Sequence, residues 1–216
     1  MFEDRRDAGR KLGVWLRERQ VRAAIVLGLP RGGVPVAAEV ARALGLPLDV
    51  VLVRKLGIPA QPEVAMGAIG EGGVRVLDDE VRRHAGVTLD EVAAVEADER
   101  EVIAARSSAL RGTRARLDLS GQRVLIVDDG IATGATASAA CQVARALGAA
   151  HVVVAAPVGG RDAGRLVIGA DEVLCLAQPA RFRAVGEHYR RFDQTTDAEV
   201  VAVLSGQDRP SPPHVA

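Results

Sequence analysis

Residues 124–140 read VLIVDDGIATGATASAA, and this stretch constrains the fold more tightly than any other. Val124, Leu125, Ile126 and Val127 form a short unbroken apolar run, the pattern of a strand buried on both faces of a parallel sheet. The run stops at two adjacent carboxylates, Asp128 and Asp129. A loop of small residues follows (Gly130, Ile131, Ala132, Thr133, Gly134, Ala135, Thr136), then an alanine-rich helix towards Leu147. Strand, loop and helix in that order put the loop at the carboxyl edge of a sheet, where open α/β folds bind ligands. The helix start offers free N–H groups and partial positive charge, Gly134 admits a ligand close to the backbone, and Thr133 and Thr136 add hydroxyls. Together they suit a phosphate. The carboxylates would repel a phosphate in direct contact, so they suit the diol of a sugar, or a magnesium ion, beside it. The stretch is fitted to a sugar phosphate.

These residues resemble the phosphoribosyl diphosphate (PRPP) motif of the type I phosphoribosyltransferases: an apolar strand, two acids, a short spacer, then T-G-x-T. A response-regulator receiver could also open on VLIVDDG, but it needs a lysine at the end of a later strand, and none follows Lys55. The resemblance implies an α/β fold, a doubly wound and mainly parallel sheet flanked by helices, with a small hood and flap. It also implies transfer of the 5-phosphoribosyl group of PRPP to a nitrogen acceptor such as a nucleobase, releasing pyrophosphate, with Mg2+ as cofactor. In that scheme Asp128 and Asp129 orient the ribose hydroxyls, favour positive charge on the ring, and meet the metal indirectly or through PRPP. The amides of residues 132–136 and the hydroxyls of Thr133 and Thr136 hold the 5-phosphate. Some family members use the same pocket as a PRPP sensor in transcriptional regulation, and that alternative stays open. One position departs from the hypoxanthine/guanine enzymes, which carry an aspartate just before T-G. This chain has Ala132 there, as adenine enzymes also lack that carboxylate.

Earlier in the chain, Asp4 to Gln20 has the spacing of an amphipathic helix, with Trp15 packed on the sheet. A strand, Ala23 to Leu27, then runs into Gly28-Leu29-Pro30-Arg31-Gly32-Gly33 and a helix over Val34–Leu44, its Pro35 placed in the first turn. The loop lacks dinucleotide and P-loop spacing. Arg31, Gly32 and Gly33 resemble the loop with which the family holds pyrophosphate through backbone amides. A third strand, Leu48–Val53, is expected to deliver Arg54 and Lys55 at its carboxyl end. These are either the cations that meet charge on a diphosphate leaving group, as in adenine and orotate phosphoribosyltransferases, or a solvated basic pair. Residues 58–118 are read as a flap followed by a helical insertion. The flap, residues 58–73, holds Glu63 and Glu71, read as loop acids of no consequence. A capping box, Thr88 to Glu91, starts a lid or dimer-contact helix that runs to about Arg111.

Past the central motif, His151–Ala155 reads as a strand, Gly159–Ile168 as a helix and Asp171–Leu176 as a last strand, continuing the α/β alternation. Residues 179–196 carry Phe182, Tyr189 and Phe192, which either contribute a hood over the acceptor base or pack this segment onto the core. Asp197 is expected to cap a final helix to about Leu204. Residues 1–205 are read as a single domain and 206–216 as a disordered tail. With 28 basic and 28 acidic residues there is no net field to recruit nucleic acid. No apolar run is long enough to span a bilayer and the first residues lack a signal-peptide core, so the expectation is a cytoplasmic protein. Cys141 and Cys175 read as small core residues rather than a disulfide. The insertion and family habit favour a homodimer with PRPP and a small nitrogen acceptor as ligands.

Overall fold

The computed structural model describes residues 1–206, apart from the side chain of Glu63. The tail expected to be disordered, 206–216, lies outside the described residues except for Gly206. In chain order the elements begin with α1 (Arg5–Glu18), β1 (Ile25–Gly28), α2 (Gly33–Leu44) and β2 (Leu48–Val50). A second group follows: β3 (Val53–Ile58), β4 (Gln61–Gly70), β5 (Arg75–Leu77), α3 (Asp79–His84) and α4 (Leu89–Arg111). The chain then forms β6 (Arg123–Val127), α5 (Ala135–Ala146), β7 (His151–Val158), α6 (Ala163–Leu166), β8 (Glu172–Ala177) and α7 (Asp197–Leu204).

Five strands form a parallel sheet in the order β2-β1-β6-β7-β8. Side chains alternate across it with the strand period of two. Val26, Leu125, Val127 and Val153 meet Leu12 and Leu16 of α1 and Val36 and Val40 of α2. Ile25, Leu27, Val124, Ile126 and Val154 meet Ala140, Cys141 and Val143 of α5. Both faces are covered, which is why the strands read as unbroken apolar runs. Each large aliphatic side chain buried here contributes about 1.5–3 kcal/mol. From β1 the chain winds outward through α2 to β2, and from β6 it winds the other way through α5 to β7. Strand order therefore reverses between β1 and β6, where such sheets open a crevice at their carboxyl edge. The fold is the expected doubly wound α/β sheet.

The second group departs from the sequence reading. The run from Leu48 to Val53 is not one strand. β2 ends at Val50, Val51 and Leu52 are buried in separate clusters, and β3 starts a three-stranded antiparallel sheet, β3-β4-β5. Arg54 and Lys55 therefore lie inside β3 instead of ending a strand of the main sheet. Most of the expected loop at 58–73 is strand β4, whose Met66 and Ile69 pack with Val92 and Ile103 of α4. Its glycines mark close approach: a Cβ on Gly67 would stand 2.3 Å from the Val76 carbonyl oxygen.

Helix α4 opens on its capping box, with Thr88 Oγ1 accepting from the Glu91 amide at 3.2 Å and Glu91 accepting from the Thr88 amide at 2.8 Å. Near its end Arg111, 5% exposed, donates to Asp49 of β2 and, at 2.7 and 2.8 Å, to Glu71. Glu71 is thus a structural acid that ties the insertion to the main sheet, correcting its reading as a loop acid of no consequence. The helix expected over Gly159–Ile168 shrinks to the single turn of α6. The final helix is capped by Thr196 rather than Asp197, through a second capping box with Glu199. No helix among the described residues is long and apolar enough to cross a membrane.

Candidate active site

The crevice between β1 and β6 is walled by the loops that leave those two strands. Leu29 extends the pairing by one bond, its amide donating to the Val127 carbonyl at 2.9 Å. The chain passes a cis Pro30–Arg31 peptide and enters α2 at Gly33. Both glycines of this loop press on the acid pair. A Cβ on Gly32 would lie 2.1 Å from Asp129 Oδ2, and one on Gly33 would lie 2.7 Å from the Val127 carbonyl and 2.9 Å from Asp128 Oδ1. Contact, not backbone dihedral, is what requires glycine at both.

On the β6 side, Ile131 is buried and its amide bonds the Val158 carbonyl at 2.9 Å, which pins the loop to β7. Ala132, Thr133, Ala135 and Thr136 are exposed. Gly134 adopts φ +73°, a left-handed conformation that glycine takes without strain. It leads into α5, whose N-cap makes no side-chain bond; the Ala135 amide reaches only Thr133 Oγ1, at 3.4 Å, and the next amides of the first turn lack an intrahelical acceptor. That geometry is an anion nest.

The acid pair is electrostatically uneven. Asp128 Oδ1 accepts from the Asp129 amide at 2.9 Å. Burial, reinforced by the charge of Asp129, pushes the Asp128 carboxyl up to about 8. Burial also raises Asp129, but Arg5 opposes it, with Nε 2.8 Å from Oδ2 and side chains that are 12% and 15% exposed. The Arg5 guanidinium further donates to the Asp193 carbonyl at 2.5 Å and lies 3.9 Å above the Phe192 ring. Tyr189 donates its hydroxyl to the Asp129 carbonyl at 2.5 Å. The two carboxyls thus sit in unequal surroundings, Asp129 against a guanidinium and Asp128 buried behind it, and together they offer oxygens to adjacent hydroxyls.

The structure thus brings Gly32 and Gly33 against Asp128 and Asp129, beside the loop through Thr136. Arg31 is half-exposed, with Nη1 3.9 Å from Asp197 Oδ1. Arg54 reaches the edge of the site: a cleft is lined by Pro30, Val53, Arg54, Ile103, Arg106 and Thr136, among others. Its guanidinium is held by Glu99 of α4 at 2.5 and 3.1 Å, which keeps it more strongly protonated. Lys55 follows Arg54 in β3 and its side chain leaves the opposite face of the small sheet, so the two do not act as one pair.

Among the aromatic candidates, Phe182 stacks on His188 at 5.5 Å and Tyr189 is buried between Phe2 and Phe192. Phe192 keeps 36% of its surface exposed. Tyr189 is therefore a prop behind the acid loop, not a platform for a base. Arg5 was missed in the sequence because nothing local marks it; only the tertiary fold carries the start of α1 to Asp129. Among the described residues no group of three or more His, Cys, Asp or Glu side chains converges as a metal cage.

Comparison with known proteins agrees with this architecture. The crystal structure of TT1426 from Thermus thermophilus superposes with a TM-score of 0.87 at 44% identity, covering 94% of this chain and 97% of that one. Two Mycobacterium tuberculosis proteins, from strains CDC 1551 / Oshkosh and ATCC 25618 / H37Rv, carry a provisional phosphoribosyl transferase name. Each is 57% identical over 213 residues, or 97% of this chain and 47% of the relative. The chain thus spans about half the length of these curated relatives. Residues 5–189, which hold both loops of the crevice and the acid pair, match the family described as the phosphoribosyl transferase domain, and the chain belongs to that family.

Proposed function

We propose that this chain transfers the 5-phosphoribosyl group of PRPP to a small nitrogen acceptor and releases pyrophosphate. The observation that carries the reading is the contact of Gly32 and Gly33 with Asp128 and Asp129 at the point where strand order reverses. Two anion-binding loops flank one acid pair there, which suits a ribose phosphorylated at one end and diphosphorylated at the other.

The geometry supports these roles. The amides from Ala132 to Thr136 and the hydroxyls of Thr133 and Thr136 hold the 5-phosphate. Asp128 and Asp129 grip the ribose diol and favour the positive charge that grows on the ring as the bond to diphosphate breaks. The amides of Arg31 and Gly32, with Arg54 at the cleft edge, receive the departing diphosphate, while the Gly33 amide, bonded to the Leu29 carbonyl at 3.0 Å, holds the loop in shape. Asp128 and Asp129, beside the anion nests, would hold magnesium together with the substrate, and the ion would neutralise charge on the diphosphate. Ala132 is exposed and supplies no proton carrier, which favours an acceptor able to react without a carboxylate at that position. Phe192 is the aromatic left with surface to contribute beside such an acceptor. A homodimer with its copies joined through the insertion fits the exposed outer face of α4.

Replacing Asp128 and Asp129 together by alanine should abolish pyrophosphate release from PRPP, magnesium and a panel of bases. Unimpaired turnover in that double variant would refute the assignment. Tight PRPP binding by the wild type without turnover on any base would instead favour a PRPP-sensing role.

A further inference from the structure

Helix α4 presents one stripe inward: Val92, Glu96, Glu99, Ile103, Arg106 and Leu110 follow at spacings of three or four. Val92, Ile103 and Leu110 are buried, as is Glu96. The acids of the stripe are matched: Glu96 with Arg75 and Arg100, Glu99 with Arg54. Beyond the stripe, Ser107 and Arg111 are committed to Glu71. Arg106 alone in this stripe has no hydrogen-bond or ion-pair partner among the described residues. It is half-buried one turn from Ile103 and lines the cleft shared with Pro30, Arg54 and Thr136. A guanidinium carries five donors and cannot lose its charge, so Arg106, with no partner among the described residues, has all of them to offer in the cleft. Apolar side chains occupy the positions on either side of it. The cleft it enters holds Arg54, whose charge Glu99 already balances, so the unmatched charge there is positive and draws an anion.

We infer that Arg106 is a diphosphate-binding residue, supplied by the helical insertion to the cleft between the Pro30 loop and Thr136. The inference rests on the phosphoribosyl-transfer reading and adds to it a ligand contact from outside the sheet. Pro30 precedes the loop assigned to pyrophosphate and Arg54 borders the same cleft, whereas Thr136 is the one residue of the 5-phosphate loop that lines it, so the diphosphate end of PRPP is the end assigned to Arg106. Arg106 would donate a two-pronged, charge-assisted pair of hydrogen bonds to phosphate oxygens as charge gathers on the leaving group.

Calorimetry on the full chain with magnesium, using pyrophosphate, PRPP and ribose 5-phosphate as separate probes, tests this. Arg106→Ala should weaken pyrophosphate and PRPP by about 10–100-fold, the span expected for charge-assisted bonds. Ribose 5-phosphate should stay within about twofold of wild type, since Thr136 alone of its loop borders this cleft. Arg106→Lys should recover part of the loss, and Arg106→Leu should melt at or above the wild-type temperature without ligand. Equal pyrophosphate affinity in wild type and Arg106→Ala would overturn the inference and leave the transfer reading standing. So would a lower melting temperature in Arg106→Leu with ligand affinity intact, or a loss confined to ribose 5-phosphate. Wild-type protein that binds neither PRPP nor ribose 5-phosphate would instead sink the transfer reading itself.

Discussion

Asp128 and Asp129 are neighbours in sequence yet differ in environment, and their chemistry depends on that difference. Asp129 has Arg5 against it, whereas Asp128 has burial and the charge of Asp129. The pH dependence has a definite sign. A carboxyl raised to about 8 in the folded chain is protonated where the unfolded chain, near pH 4, has already released its proton. Its contribution to stability is therefore complete below about pH 4 and lost as pH rises through about 8. The melting temperature of the ligand-free protein should fall between pH 5 and 8, and Asp128→Asn should flatten that slope. Identical slopes in both proteins would refute the assignment. The acid pair could be read directly from the sequence because it is a local motif. Its partner Arg5 could not, since no spacing rule links residues separated by most of the chain.

Among the elements, the two crevice loops and helix α4 carry the clearest consequences. A methyl group at Gly33 meets backbone, which cannot swing away, so Gly33→Ala should lose about 1–3 kcal/mol in urea unfolding. At Gly32 the obstacle is the Asp129 carboxylate, so Gly32→Ala should fold near-normally and show its cost as weakened PRPP binding. A large stability loss at Gly32 with normal affinity would contradict this. In α4, Arg111→Ala leaves the fully buried Asp49 without its guanidinium and should cost roughly 3–5 kcal/mol, read from the urea midpoint. Helices α1, α2, α4 and α5 announce themselves through caps and apolar spacing, and β1, β6 and β7 through apolar runs. The second sheet stayed hidden. Its glycines look like loop residues when the close backbone approach that demands them is out of view, and nothing in Leu48–Val53 marks a change of sheet. Glu71 was misjudged for the same reason: its partner Arg111 lies forty positions away.

For the whole molecule, the sheet supplies a rigid floor and the insertion a wall on one side of the crevice. A ligand that joins the two loops stabilises the chain by mass action. PRPP with magnesium at about a hundred times its dissociation constant should add about 2.7 kcal/mol, a rise of roughly 5–10 °C in melting temperature for a chain of this length. The Asp128→Ala/Asp129→Ala variant should show none of that rise, and an equal rise would place the ligand elsewhere. The floor was legible in the sequence because winding rules and apolar runs agree on it. The wall was legible only as a helix, not as a source of Arg106.

The amino terminus bears on all of this. Phe2 pairs with the backbone around Tyr189, its amide on the His188 carbonyl and its carbonyl on the Arg190 amide, and its ring lies against Tyr189, which holds the Asp129 carbonyl. Shortening the chain by its first two residues would therefore not trim a loose end. It would pull out the wedge behind the acid loop, and a preparation cut back that far should take up PRPP more weakly than the longer one while its sheet stays sound.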